Sequence, residues 1–234
     1  MLKAVLFDLD GTLLPMVQDE FVNYYYRLLI NKLKPFDVDP ELFIRALNAG
    51  AYTMVLNDGS RTNAEAFWIG YLKVMKVKHE GIEEAILDFY GHEFNQAIAA
   101  TQPSPLAREI IDLGHQKGWR LILATSPLFP RIAVINRIKW AGLKESDFEY
   151  ITSYENCHWC KPSPGFYQEL IERLNIDPRE AMMIGNDPGE DMVAGQLGFT
   201  TYLVTDTLEN RSGMSFEPDY RGSLKELKEF LSQL

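Results

Sequence analysis

Cysteine is nearly absent from this 234-residue chain: the two that occur, Cys157 and Cys160, sit together in NCHWC. Two thiols so close together do not make the disulfide framework of a small secreted domain. No basic start followed by an apolar stretch and a cleavage site is visible either, so the expected setting is reducing and cytoplasmic. Long hydrophobic runs are also missing. No stretch of about eighteen uncharged apolar residues occurs, and a bilayer-spanning helix is therefore not expected. Positive charge is scarce, with 23 Lys and Arg against 33 Asp and Glu and a formal net charge of −10. Such a surface does not suit a nucleic acid, whose binding relies on many basic contacts to phosphate. A small phosphate held by a few local groups stays compatible. No internal repeat and no low-complexity tract interrupts the chain.

The composition that remains, 46% hydrophobic and 24% charged, is that of a folded protein of one or two domains with a sizeable core. From residue 104 onward short apolar runs alternate with helical periodicity, the mark of a parallel sheet with crossover helices. Strands are expected at 3–7, 119–124, 148–152, 181–184 and 200–204. Helices are expected at 104–117, 130–141, 164–174, 190–197 and in the final GSLKELKEFLSQL. Residues 16–100 differ, with apolar residues three and four apart over four long stretches, which predicts an insert of four amphipathic helices after the first strand. Pro15 and TQPSP at 101–105 punctuate its two ends.

Three of the expected strands run directly into polar groups. AVLF meets Asp8-Leu9-Asp10, LILA meets Thr125-Ser126, and MMI meets Gly185-Asn186-Asp187. In an open parallel sheet, ligands bind in the crevice beyond the carboxyl ends of the strands, so these distant residues should meet there. Two aspartates at i and i+2 crowd like charge into one small volume, which is unfavourable unless a cation neutralises it or one carboxyl keeps its proton. Asp187 and Asp191 add a second acidic pair. A cluster of this kind suits a hard, oxygen-seeking ion, and Mg2+ commonly takes one or two carboxylates plus a substrate phosphate. Each feature also has an ordinary explanation: DGT is common turn chemistry, and Asp8, Thr125 or Ser126 can cap a following helix. Their coincidence at three strand ends favours a site.

Taken in order, FDLDGTLL, LILATS, Lys161 within CKPSPGFY, and IGNDPGEDM resemble the four motifs of the haloacid dehalogenase superfamily, in its phosphatase branch. The motifs span nearly the whole chain. The resemblance implies a Rossmann-like three-layer α/β core of residues 1–15 and 101–234, with a helical-bundle cap at 16–100. It makes Asp8 the nucleophile that attacks phosphorus, giving an aspartyl-phosphate that water then hydrolyses. Asp10 becomes the general acid and then base, and for that it must start protonated, helped by its neighbour Asp8 and by partial removal from water. Thr125, Ser126 and Lys161 are implied to bind the phosphoryl group. Mg2+ is the implied cofactor, on Asp8 and Asp187 directly, on the main-chain carbonyl of Asp10, and on Asp191 directly or through water. Charge makes the cations necessary: at 4 Å and an effective dielectric near 20, each pair of like unit charges repels by about 4 kcal/mol. Relatives carry Gly or an acid where this chain has Asn186, so the resemblance does not assign that residue.

The implied activity is a Mg2+-dependent phosphomonoester hydrolase acting on a small phosphorylated metabolite, with no protein partner identifiable and the oligomeric state open. A hydrolytic dehalogenase has no need of an acid two residues after the nucleophile, and Asp10 argues against it. A sugar phosphomutase shares all four motifs and is the nearest alternative among enzymes. A binding module that has lost catalysis need not keep Asp8, Asp10, Lys161 and Asp187 together. CHWC at 157–160 lacks the second half-site a structural zinc would need, and packing is its expected role. The aromatic residues of the insert, YYY at 24–26 with Phe67, Trp68 and Tyr71, are expected in the core, and Arg61 in an exposed loop.

Overall fold

The computed structural model describes residues 1–76 and 80–234. Six parallel strands form one sheet in the order β3-β2-β1-β4-β5-β6. They are Ala4–Phe7 (β1), Arg120–Leu123 (β2), Tyr150–Ile151 (β3), Ala181–Gly185 (β4), Thr200–Val204 (β5) and Tyr220–Gly222 (β6). Five of them are the apolar runs expected from the sequence. β6 is an edge strand whose residues Tyr220 and Arg221 are exposed. It pairs with β5 through its backbone, the Tyr220 ring lies 4.5 Å from Phe230 of α8, and no hydrophobic pattern announces it.

Period-two alternation fills both faces of the sheet. Val5, Phe7, Leu121, Leu123, Met182 and Ile184 enter one apolar cluster, while Ala4, Leu6, Ile122, Ala181 and Met183 enter another. The helices Pro105–Gln116 (α5), Arg131–Trp140 (α6) and Leu224–Gln233 (α8) supply the first face, and Pro164–Leu174 (α7) the second. The result is the expected three-layer α/β arrangement. β1 lies between β2 and β4, so the strand order reverses there, and a crevice opens beyond its carboxyl end.

Between β1 and α5 run the helices Gln18–Leu33 (α1), Pro40–Val55 (α2), Asn63–Met75 (α3) and Ile82–Gly91 (α4). The chain leaves and returns at one point, where Met16 and Thr101 form an antiparallel bridge and Gln102 N donates to Pro15 O at 2.7 Å. The fourth expected helix is broken. His92 adopts φ −127° and ψ −84°, and Glu93–Ala100 continues as a 3-10 turn. Gly91 weakens the helix at that point, and tertiary packing then sets the direction, with the Phe94 ring 5.0 Å from Trp140 of α6. Helix 190–197 is likewise shorter, a 3-10 segment at Met192–Leu197. Phe21 and Tyr25 of α1 and Phe94 share one buried cluster with Val134, Ile138 and Trp140 of α6. Asn136 Nδ2 also donates to Tyr90 O at 2.7 Å. The helical segment is thus seated on the sheet domain by aromatic packing rather than joined to it by linkers alone.

Candidate active site

The first loop is tied to the sheet where β1 ends. Asp8 N donates to Ile184 O of β4 at 2.9 Å, and Gly11 then turns the chain at φ +83°. A Cβ on Gly11 would stand 2.2 Å from the Asn186 amide nitrogen, so only glycine admits both the turn and the approach of the β4 loop. The Thr12 hydroxyl lies between the two loops, 3.3 Å from Asp8 Oδ2 and 3.2 Å from Asn186 Oδ1.

Lys161 reaches the same place from the loop before α7, whose first turn is capped by Ser163. Its buried ammonium donates to Asp8 Oδ1 at 2.9 Å and to Asp191 Oδ1 at 2.6 Å. Burial opposes the lysine charge, but the attraction of Asp191 and Asp8 outweighs it and holds the ammonium well above its ordinary pKa. For Asp191 burial dominates and pushes the carboxyl up to about 6, against the pull of Lys161. The neighbouring charge of Asp8 adds to the rise at Asp191. The three groups together leave one negative charge in a dry pocket, a standing invitation to a proton or a cation.

Asp10 is turned elsewhere. Its Oδ2 pairs with Nη1 of Arg137, a residue of α6 that is wholly buried. Asp187 lies in the loop beyond β4. Its Oδ1 accepts from Gly189 N (2.8 Å) and Glu190 N (3.0 Å), and its Oδ2 from Arg211 N (2.9 Å). That carboxylate closes its own loop. Asp191 N donates to Asp187 O at 2.9 Å, and Asp191 Oδ2 accepts from Asp187 N at 3.0 Å, which aims the other oxygen of Asp191 at Lys161. Thr125 is buried just past β2 and Ser126 half-buried beside it, with the Thr125 carbonyl accepting from Thr152 Oγ1 at 2.6 Å.

The arrangement thus joins Asp8, Thr12, Lys161, Asn186 and Asp191, with Asp10 on Arg137 alongside. Among the described residues, no three His, Cys, Asp or Glu side chains are grouped to hold an ion. The donors that do converge are hard oxygens, two carboxylates and the Asn186 amide, with no thiol or imidazole among them. That set fits Mg2+, which takes one or two carboxylates and completes its shell with water and phosphate oxygens.

CHWC packs. Cys157 and Cys160 are buried, Asn63 of α3 donates to Cys160 Sγ at 3.3 Å and to Trp159 O at 3.2 Å, and His158 Nδ1 lies 2.8 Å from Glu169 Oε1. Burial pushes the Cys157 thiol up to about 12 and the Cys160 thiol in the same direction. Raised folded-state values mean that the stability these thiols contribute is full below about pH 9, where an unfolded thiol ionises, and is lost as pH rises through about 12 for Cys157. A chromogenic disulfide reagent at about pH 8 is expected to modify neither cysteine in the native protein and both after denaturation. Fast reaction before denaturation would contradict the packing role. Arg61 is exposed, as expected of its loop.

The sheet has Rossmann-like order, and aspartates, a threonine and a lysine gather beyond the carboxyl end of β1. The model of the haloacid dehalogenase-like hydrolases matches residues 2–197, and the chain belongs to that family of enzymes. Its sequence is 24% identical over 226 residues to the pyrophosphatase PpaX of Bacillus cereus, covering 94% of this chain and 91% of that one. The fold is similar to that of the HAD phosphatase from Thermococcus onnurineus, with TM-score 0.61, 20% identity and 98% of both chains covered. It is also similar to the L-2-haloacid dehalogenase from Xanthobacter autotrophicus, with TM-score 0.57, 16% identity and 99% and 98% covered.

Proposed function

We propose that the protein is a Mg2+-dependent phosphomonoester hydrolase that works through an aspartyl-phosphate on Asp8. The observation that carries this reading is the buried Lys161 ammonium bonded to both Asp8 and Asp191. Asp8 is thereby oriented with a cation at its side, as an anion that attacks an anionic phosphate requires. An oxygen of Asp8 attacks phosphorus, the bond to the ester oxygen breaks, and Asp10 supplies the proton that oxygen takes. Water then attacks the phosphoryl group, Asp10 accepts its proton, and Asp8 is released with inorganic phosphate. Arg137 anchors Asp10 through this exchange. Thr12 and Thr125 face the phosphoryl oxygens, and the helical segment covers the crevice as a cap over the core of residues 1–15 and 101–234.

Mg2+, when bound, supplies positive charge against the phosphoryl oxygens. Asp8, Asp187, Asp191 and the main-chain carbonyl of Asp10 are its holders in this reading, with the Asn186 amide oxygen near Asp8. An acid at position 10 favours a phosphatase over a dehalogenase, which expels halide from carbon and needs no proton at that point. Release of p-nitrophenol from p-nitrophenyl phosphate, followed with Mg2+ and again after chelation, tests the reading. Turnover that appears only with the metal is expected. Equal turnover after chelation, or none under either condition, would overturn it.

A further inference from the structure

Helix α3 begins against the loop that carries Lys161. A helix leaves the N–H groups of its first turn without acceptors of its own, and here two of them are answered from the sheet domain. Asn63 N donates to Cys157 O at 2.9 Å and Ala64 N to Tyr154 O at 2.8 Å, while Glu65 N takes the Thr62 hydroxyl within a capping box. Two carbonyls of the lysine loop thus complete a helix of the insert. The wholly buried side chain of Asn63 makes the same connection a second time. Its Nδ2 donates to Trp159 O at 3.2 Å and to Cys160 Sγ at 3.3 Å, and its Oδ1 accepts from Asn57 Nδ2 at 2.9 Å. An amide offers two N–H groups and one carbonyl oxygen, and all three are used. Asn57 Nδ2 also donates to Arg61 O at 2.8 Å, so the loop between α2 and α3 sets the direction in which the Asn63 amide points.

The loop is gripped at its ring as well. A Cβ on Gly59 of the insert, or on Gly165 in the first turn of α7, would stand 2.6 Å from the Trp159 indole, so both backbones close on it. Lys161 follows directly, inside a turn in which Ser163 N donates to Cys160 O at 3.0 Å. A lysine ammonium rides on a flexible four-carbon stem, so where it comes to rest depends on where its backbone is held. This one has to meet Asp8 at 2.9 Å and Asp191 at 2.6 Å in a buried space. Asn63 holds the main chain or the side chain of Cys157, Trp159 and Cys160, all within the four residues before it.

We propose that Asn63, on the helical insert, is a positioning residue for Lys161 of the sheet domain, fixing the loop from which the lysine reaches Asp8 and Asp191. The inference rests on the phosphatase reading for what the lysine does there, and it gives CHWC and the polar loop before α3 one shared task. Asn63→Ala and, separately, Asn63→Ser, which keeps a single donor in place of two, test it beside Thr62→Ala, which loosens the same helix end but leaves the bonds of Asn63 in place. For p-nitrophenyl phosphate, Asn63→Ala is expected to lower kcat at least about tenfold and to move KM less than about threefold, because misplacing a reacting group by about 1 Å is felt in the chemical step. Asn63→Ser is expected to act in the same direction, and it carries the comparison if Asn63→Ala does not fold. Thr62→Ala is expected to stay within about twofold of wild type in both constants. Amide hydrogen exchange read by mass spectrometry follows the loop without turnover. The peptide spanning 157–163 is expected to exchange at least about tenfold faster in the Asn63 variants than in wild type, and no faster in Thr62→Ala. Exchange there unmoved by the Asn63 substitutions, or raised equally by Thr62→Ala, would overturn the inference. Faster exchange with kcat unchanged, or an effect confined to KM, would overturn it too. If the wild-type protein hydrolyses no phosphate ester the phosphatase reading fails, and the exchange comparison alone then decides whether Asn63 holds the lysine loop.

Discussion

Asp8→Asn is expected to lower kcat for p-nitrophenyl phosphate by about four orders of magnitude or more, the scale on which enzymes lose activity with their nucleophile. The amide is nearly isosteric, keeps an oxygen for Thr12, and removes the negative charge that Lys161 meets at 2.9 Å. Lys161 still has Asp191 at 2.6 Å, so its ammonium is not stranded and the fold is expected to survive. Loss of turnover with an unchanged melting temperature is the combined signature. A variant that keeps a tenth of the activity would show that phosphorus is attacked by something other than Asp8.

The second large effect is on stability. Arg137→Met removes one partner of a buried ion pair and leaves Asp10 without its guanidinium beneath α6, a change that typically costs about 3–5 kcal/mol. For a protein of this size each kcal/mol moves the melting temperature by roughly 2–4 °C, so a fall of roughly 6–20 °C is expected in thermal denaturation. The guanidinium also leaves the face of Phe129. Arg137→Met combined with Asp10→Asn removes both charges and is expected to recover most of the loss, because two neutral groups in that place cost less than one unpaired charge. A double variant no more stable than the single one would show that Arg137 acts through packing alone.

Residues that share a local pattern were legible in the amino-acid sequence, and residues that depend on a remote partner were not. The alternation that sends Val5 and Phe7 to one face and Ala4 and Leu6 to the other is local, and it located β1 and the loop beyond it. The strand ends likewise pointed to the loop of Asn186 as a neighbour of Asp8, whereas Lys161 was reached through the family motif and not through any local pattern. β6 escaped because it is short and Tyr220 and Arg221 stay exposed, so no apolar alternation marks it. Arg137 escaped for a different reason. A lone basic residue in the apolar stripe of Ala133, Val134 and Ile138 signals a buried ion pair, but its partner lies 127 positions away. At Asp187 a local signal was legible too: Asp-Pro-Gly is turn chemistry, and the carboxylate accepts from the amides two and three residues on.

The central claim is that phosphoryl transfer passes through the side chain of Asp8. Acid-quenching the enzyme during turnover of p-nitrophenyl phosphate, reducing it with borohydride and mapping peptides by mass spectrometry tests this most directly. The account predicts reduction of position 8 to homoserine, dependent on both substrate and Mg2+. Metal-dependent turnover with Asp8 recovered unmodified would contradict it.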